Sequence, residues 1–248
     1  MRERLGDVIW AGVPLSSVGD VIIEKPPATN RPKRKVDRYK VPGRNGDIIV
    51  QQNAWENVTR SYDLIIHDSD GPEAIYHGFN YDGAASALME WLYGPTGYQR
   101  LEDTFDEQVY RKAYVSENTK IDNLMNSDGF CSVEFECDPR RFLKNGDVAL
   151  ALGAKTTLVN PTKFTALPLV YLDMQANSTL SLNGSVIFQF TSAGKYYIDS
   201  EHETITTDSG SPVHGLARGK FPKLYQGESV FETSGMNSGW IIPNWWTI

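Results

Sequence analysis

Apolar and polar residues alternate over many short stretches of this chain, and this two-residue period is typical of β-strands. The clearest case is Phe130–Cys137, where Cys131, Val133, Phe135 and Cys137 share one face while serine and glutamate occupy the other. We therefore predict a mainly β fold of the β-rich α+β class. The other predicted strands are Asp7–Trp10, Val21–Glu24, Ile48–Val50, Val58–Ile66, Val109–Val115, Thr156–Val159, Leu169–Met174, Thr179–Leu182, Val186–Phe190, Tyr196–Ser200 and Thr204–Thr207.

One stretch departs from this alternation and predicts an α-helix. Its apolar residues recur at i, i+4, i+7 and i+8, which places them in a single stripe along one helix face. Asp82 is suited to cap the start of the helix, and Gly94-Pro95 ends it. We expect the stripe to pack against a sheet. It consists of Ala84, Leu88, Trp91 and Leu92.

Two closely spaced turn signals, Pro42-Gly43 and Asn45-Gly46, predict the tip of a long β-hairpin. The segment that leads into this tip is basic. Three interpretations of its charge remain open: contact with a neighbouring subunit, plain solvation, or contact with nucleic-acid phosphates. For the first interpretation, an acidic cluster at Glu102, Asp103, Asp106 and Glu107 is the candidate counterpart on a neighbour. The basic residues are Arg31, Lys33, Arg34, Lys35, Arg38, Lys40 and Arg44.

A charged residue, Arg60, interrupts the apolar face of the strand Val58–Ile66. We interpret this interruption as the mark of a sheet edge or of an interface. Further along the chain, Pro139 and Asn145-Gly146 break the structure, and the density of charged residues rises. We therefore predict two domains, residues 1–143 and residues 144–248. The second half contains no convincing helix and reads as a β-sandwich.

Composition narrows the classes of function. The formal net charge of −7 argues against broad nucleic-acid binding, and no apolar run approaches the roughly 20 residues that a membrane span needs. If Phe130–Cys137 is a strand, Cys131 and Cys137 lie roughly 20 Å apart, which is too far for a disulfide. We interpret both cysteines as buried side chains of a protein made in a reducing cytosol.

The sequence offers few candidates for chemistry. We predict no catalytic residue, no metal site and no cofactor, because no motif for metal, nucleotide or nucleophilic chemistry occurs. Asp199 and Glu201 are two apart on a predicted strand, so their carboxylates lie about 7 Å apart, a spacing compatible with a glycosidase pair. Adjacent acids on an exposed strand face are, however, ordinary. Trp240, Trp245 and Trp246 are candidates for stacking on a sugar, with core packing as the alternative.

Taken in order, several blocks of the sequence resemble the distal tail (Dit) proteins of long-tailed, non-contractile, siphovirus-type bacteriophages. The resemblance covers nearly the whole chain, and its specificity comes from the ordered set of blocks. The blocks are Val36–Asp47 with the Val-Pro-Gly-Arg-Asn-Gly hairpin, Trp55-Glu56-Asn57, the helix end Glu90-Trp91-Leu92, Cys131–Arg140, Asn160-Pro161-Thr162, Ala166-Leu167-Pro168, Tyr197–Glu201 and Ile241–Trp246.

This resemblance implies a virion structural protein at the distal end of a phage tail, synthesised and assembled in the cytoplasm of the bacterial host. Residues 1–143 would assemble into a hexameric ring, with the long hairpin joining one subunit to the next. Residues 144–248 would form a galectin-like β-sandwich. The ring would be a hub joining the major tail tube protein and the tape measure protein to a tail-associated lysin, tail fibre or receptor-binding protein.

The resemblance gives the basic segment a role in the ring, with Lys33, Arg34, Lys35, Arg38 and Arg44 as candidate interface residues. No membrane and no specific nucleic acid are expected as partners. Two other functions remain open. One is a carbohydrate-binding, host-adhesion module in the C-terminal half, and a more remote one is a glycan hydrolase that uses Asp199 and Glu201.

Overall fold

A computed structural model describes residues 5–67, 81–115, 121–123, 128–213 and 217–248. The chain divides into two compact units, residues 1–141 with residue 248, and residues 142–247. The division follows Arg141, whereas the sequence analysis placed the boundary after Leu143. The predicted mainly β fold is confirmed, because strands make up most of the secondary structure in both units.

The first unit contains a sheet of antiparallel strands in the order β2-β1-β7-β8-β10-β6-β3, with β9 paired to β10. Strands β4 and β5 form a separate two-stranded sheet. The strands are β1 (Val8–Trp10), β2 (Val13–Pro14), β3 (Val21–Ile23), β4 (Arg34–Tyr39), β5 (Ile48–Trp55), β6 (Val58–His67), β7 (Gln99–Asp103), β8 (Val109–Val115), β9 (Ile121–Asn123) and β10 (Asp128–Cys137). Strand β11 (Arg141–Leu143) begins at residue 141 and has its other two residues in the second unit.

An α-helix, α1 (Tyr81–Tyr93), supplies one wall of the core of the first unit. Its predicted apolar stripe is confirmed: Leu88, Trp91 and Leu92 are buried, and Ala84 packs against the same core. The helix begins at Tyr81, so Asp82, predicted to be its N-cap, lies within its first turn instead, and the side chain of Asp82 lies outside the described residues. Across the core, the ring of Phe135 on β10 lies 6.5 Å from Trp91 and 4.9 Å from Trp10, centroid to centroid.

The alternation predicted for β10 is also confirmed. Cys131, Val133, Phe135 and Cys137 are buried, whereas Ser132 on the other face is exposed. Both cysteines are free thiols. Because burial disfavours the charged thiolate, it raises the pKa of each cysteine to about 12.

The stretch of β6 around Arg60 was predicted to lie near an edge or an interface. Strand β6 pairs with β10 along its whole length, but β3 on its other side pairs only with Leu64–Ile66, so no described strand adjoins this side of β6 at Arg60. The side chain of Arg60 is nevertheless buried. Its Nη2 lies 2.7 Å from Oδ2 of Asp103, which also accepts a 2.6 Å hydrogen bond from the hydroxyl of Tyr62. Arg60 Nη1 donates to the carbonyl of Ala28 at 3.1 Å. A buried charge therefore interrupts the apolar face because an acid on β7 neutralises it within the same unit.

The second unit is built on two long strands, β14 and β19, in a sheet of order β12-β19-β14-β15-β18. Strand β13 pairs with β19, β16 with β14, and β17 with β16. Residues 144–146 form a 3₁₀ turn. The strands are β12 (Leu150–Ala151), β13 (Lys155–Asn160), β14 (Leu169–Leu182), β15 (Ser185–Phe190), β16 (Gly194–Asp199), β17 (Thr204–Thr207), β18 (Ala217–Gly219), β19 (Gly227–Ile242) and β20 (Trp246–Thr247).

A bend in β14 and β19 lets one sheet enclose a core. The pairing of the two strands shifts register between Met174 and Thr179, where Asn177 and Gly235 have φ of 57° and 72°. The first half of β14 pairs with β16 and the second half with β15. Side chains from both halves, including Leu172 and Leu180, meet in one buried cluster. The result is a β-sandwich arrangement.

Candidate subunit interface

The predicted long hairpin is present and consists of β4 and β5, which pair only with each other among the described residues. Register runs from Tyr39 opposite Ile48 at the tip to Arg34 opposite Trp55 at the base. Near the base the pairing shifts, and Asn53 takes a φ of 53°, so two extra residues bulge out of β5. The outer edges of both strands therefore carry backbone groups that no described strand pairs.

The tip follows the two turn signals in the sequence. The amide of Arg44 donates to the carbonyl of Val41 at 3.2 Å, which closes a turn over Pro42-Gly43. Gly43 has a φ of 79°, so proline and glycine hold the two central positions that a type II turn favours for them. Gly46 has a φ of 82°, which gives the second signal its turn. Arg44 lies exposed between the two glycines.

The base of the hairpin is fixed by specific contacts. The guanidinium of Arg34 lies 4.6 Å from the ring centroid of Trp55, and the amide of Glu56 donates to the carbonyl of Lys33 at 2.8 Å. Next along the chain, the side-chain amide of Asn57 donates to Glu136 on β10 at 2.7 Å. Hydrogen bonds from Asn57 and Tyr114 lower the pKa of Glu136. The hairpin therefore projects from an anchored base.

Large apolar side chains remain exposed on the hairpin itself. Each exposes more than a third of its surface, and Ile49 exposes 59%. An isolated two-stranded hairpin is marginally stable in water, and exposed apolar residues beside unpaired strand edges are typical of an interaction surface. These apolar residues were not among the predicted interface residues, although the run Ile48-Ile49-Val50 was their signal in the sequence. They are Tyr39, Val41, Ile48, Ile49 and Val50; together with the basic residues of the same segment we call them the hairpin surface.

The structure brings the predicted basic interface residues together on this hairpin. Lys33, Arg34, Lys35 and Arg38 are exposed at or along β4, and Arg44 is exposed at the tip. Asp37 on the same strand accepts a hydrogen bond from Gln52 at 2.8 Å, so this acid is partly engaged. A basic, partly apolar arm thus projects from a chain whose net charge is −7.

The acidic cluster proposed as the counterpart of the basic segment is mostly engaged within the chain. Asp103 is buried with Arg60, Glu102 pairs with Arg100, and Asp106 pairs with Arg141. Glu107 is the exposed member. The counterpart of the hairpin surface is therefore better sought elsewhere on a neighbouring subunit.

The three candidate sugar-binding tryptophans lie in different environments. Trp245 is 5% exposed and belongs to the core of the second unit. Trp246 stacks on Phe164 with ring centroids 4.4 Å apart, and its indole donates to the carbonyl of Thr165 at 2.9 Å. Trp240 lies on the outward face of β19, half-buried against Tyr171. The three rings therefore do not form one site.

Asp199 and Glu201 do not share a strand face as predicted, because β16 ends at Asp199 and Glu201 lies in the following turn. Oδ1 of Asp199 accepts the backbone amides of Glu201 and His202, and Oδ2 lies 2.8 Å from the His202 ring. Partial burial raises the pKa of Asp199, but these contacts, led by His202, lower it overall. Asp199 serves to close a turn.

The described residues contain no group of three or more His, Cys, Asp or Glu side chains placed to hold a metal ion. They also contain no helix with the length and apolar character that crossing a membrane requires.

The sequence matches no protein-family model and no curated protein. The fold, however, matches a solved one. The crystal structure of the SPP1 Dit (gp 19.1) protein, described as a paradigm of hub adsorption apparatus in Gram-positive infecting phages, superposes with a TM-score of 0.72 at 13% sequence identity. The match covers 96% of this chain and 98% of that one. The resemblance to Dit proteins predicted from the sequence blocks is thus confirmed for the fold, which this chain shares over nearly its whole length with a phage hub protein.

Proposed function

We propose that this protein is a structural component of a phage tail, a ring-forming hub at the distal tip. The observation that carries the proposal is the hairpin surface, a projecting β4–β5 arm with unpaired edges, exposed apolar residues and a basic stripe. Burial of such an arm against a second copy of the chain would give hydrogen-bond partners to the backbone groups at its edges and would remove its apolar side chains from water. The fold shared with the SPP1 hub protein supports the same role.

In this proposal, residues 1–143 form the ring, six copies are the expected ring order, and residues 144–248 form a galectin-like domain outside it. The expected neighbours are the tail tube and tape measure proteins on one side and a lysin, fibre or receptor-binding protein on the other. Binding of these partners would localise the protein to the virion. A role in catalysis is not part of the proposal, because Asp199 closes a turn and Glu201 leaves its strand face.

The ring is tested by native mass spectrometry and light scattering of the purified chain over a range of concentrations. We expect a closed oligomer whose assembled fraction rises with protein concentration. Ile49→Asp places a charge among the exposed apolar residues, and we expect it to weaken assembly at least about tenfold because the carboxylate would be desolvated at the interface. Arg44→Glu should weaken assembly more at low than at high salt.

Lys223→Glu is the matched control, since Lys223 is an exposed cation of the second unit. This variant should assemble like the unmodified chain. Oligomers that persist unchanged in both Ile49→Asp and Arg44→Glu would place the subunit contact elsewhere. A chain that stays monomeric alone and also when mixed with purified tails that lack it would overturn the ring itself.

A further inference from the structure

Three aromatic side chains form a continuous cluster on the outward face of the sheet in the second unit. Tyr171, Tyr197 and Trp240 lie in one cross-strand row, with Tyr171 paired to Trp240 on one side and to Tyr197 on the other. Tyr171 and Trp240 are stacked at 5.5 Å and 20°, and Tyr171 and Tyr197 are 4.9 Å apart. We call these three residues the aromatic row.

The aromatic row does not belong to the core. Its neighbours along the strands, such as Leu172, Ile198 and Ile241, are buried on the inner face, while the three rings lie half-exposed on the opposite face. None of the three rings belongs to the buried cluster of the second unit or packs against it. Single aromatic residues scattered over a protein surface are ordinary. Three large rings grouped on one outer sheet face form a patch, and such patches are typical of binding sites.

A polar groove adjoins the aromatic row through Asp208. The hydroxyl of Tyr197 donates to Oδ1 of Asp208 at 3.3 Å, and Nζ of Lys195 lies 3.7 Å from Oδ2 of the same residue. Lys195 and Asp208 line an open groove of about 490 Å³. Its wall includes Thr207 and Ser209, whose hydroxyl oxygens are 2.9 Å apart.

Further polar side chains lie on the same side of the aromatic row as Lys195, because Asp173 on β14 is the cross-strand partner of Lys195. The amide of Asn237 donates to Oδ1 of Asp173 at 3.1 Å and accepts from Gln175 at 3.0 Å. Amides and hydroxyls can both donate and accept hydrogen bonds, and the charge of Lys195 offsets one of the two carboxylates of Asp173 and Asp208. The surface therefore combines apolar rings with mostly uncharged polar groups, the usual composition of a small-ligand site.

From this arrangement we propose that the aromatic row and the adjoining groove bind a neutral saccharide chain. A pyranose ring presents C–H groups on its faces and hydroxyls around its rim, so it matches aromatic rings flanked by groups that donate and accept. The excess of one carboxylate on this surface disfavours an anionic polymer and leaves an uncharged glycan as the expected ligand. The site lies within the second unit and does not depend on the proposed ring.

The test is affinity gel electrophoresis of the full chain in gels that contain dextran, laminarin or galactan, followed by titration calorimetry with oligosaccharides of the polymer that retards it. We expect retardation by at least one neutral polymer, with a Kd of the order of 0.1–1 mM for an open site. Trp240→Ala should weaken binding at least about tenfold, because it removes one of the three rings. Tyr225→Ala, which alters a 64%-exposed aromatic residue of the same unit outside the row, should leave it unchanged.

If circular dichroism shows that Trp240→Ala is unfolded, Tyr197→Phe and Asp208→Asn take its place, each with an expected loss of a few-fold. No retardation by any of the three polymers would overturn the proposal. So would binding that survives all three variants, or retardation only by anionic poly-glutamate. Loss of partner-protein binding in Trp240→Ala without any glycan binding would also overturn it, since the row would then be a protein contact. Ring formation measured on the same variants reports separately on the proposed function.

Discussion

At the scale of single residues, the contact between Arg60 and Asp103 has the largest predicted effect on stability. Both side chains are under 10% exposed, and Tyr62 and the amide of Phe105 supply further hydrogen bonds to Asp103. A buried ion pair adds little over well-packed apolar residues, but loss of one partner leaves a charge buried without compensation. The buried Arg60 therefore requires the acid at Asp103, and Asp103 requires Arg60, although the two are far apart in the sequence.

We expect Asp103→Ala to lower the free energy of unfolding of the first unit by about 3–5 kcal/mol, because the Arg60 guanidinium then lacks its acid. Urea denaturation followed by fluorescence measures this change. Asp20→Ala, at an exposed acid of the same unit, should change it by less than about 0.5 kcal/mol. The double variant Arg60→Met/Asp103→Leu should lose less than Asp103→Ala alone. A loss below about 1 kcal/mol in Asp103→Ala would contradict this account.

At the scale of elements, the alternation of strand β10 determines how reactive its two cysteines are. The thiols of Cys131 and Cys137 face the core, and burial raises the pKa of each to about 12. Since the thiolate is the reactive species, both should stay inert to iodoacetamide at pH 8.5 in the native chain and react when it is unfolded. Ser132→Cys, on the exposed face of the same strand, should add one thiol that reacts natively.

The same shift predicts the direction of a pH effect. Because the folded thiols hold their protons more tightly than unfolded ones, their contribution to stability is complete below the usual cysteine pKa of 9.0 and is lost as pH rises toward 12.

In the iodoacetamide experiment, native reaction of Cys131 or Cys137 at the rate of the Ser132→Cys thiol would contradict the burial of this face.

Elements with local signals were predicted from the sequence, whereas those set by distant partners were not. The hairpin tip, helix α1 and β10 carry turn residues or a clean period, and each appears as predicted. Strand β19 was missed, because serine and glycine around Gly235 interrupt its alternation where it bends. The partner of Arg60 lies 43 positions away, so its burial has no local signal. Tyr171, Tyr197 and Trp240 are likewise brought together only by strand register.

At the scale of the whole molecule, the two units have separate hydrophobic cores, and the proposals assign them separate tasks. Among the described residues, the core around Phe135 consists of residues of the first unit, and the core around Leu172 consists of residues of the second. Each unit therefore has a hydrophobic core of its own, as an independent domain requires. The hairpin surface lies in the first unit and the aromatic row in the second.

A fragment of residues 140–248 tests this separation. It keeps β11 together with its partner β20, and with them the hydrogen bond from the amide of Leu143 to the carbonyl of Trp245 at 2.8 Å. We expect the fragment to fold, as measured by circular dichroism and a cooperative melt, because its core is intact. It should remain monomeric in sedimentation velocity at concentrations where the full chain assembles, because it lacks the hairpin surface.

The fragment should also bind the same neutral glycan with a Kd within about threefold of that of the full chain, since the aromatic row and groove are complete within it. A folded fragment that assembles like the full chain would move the subunit contact into the second unit, and one that folds but loses the glycan would mean that the first unit contributes to that site.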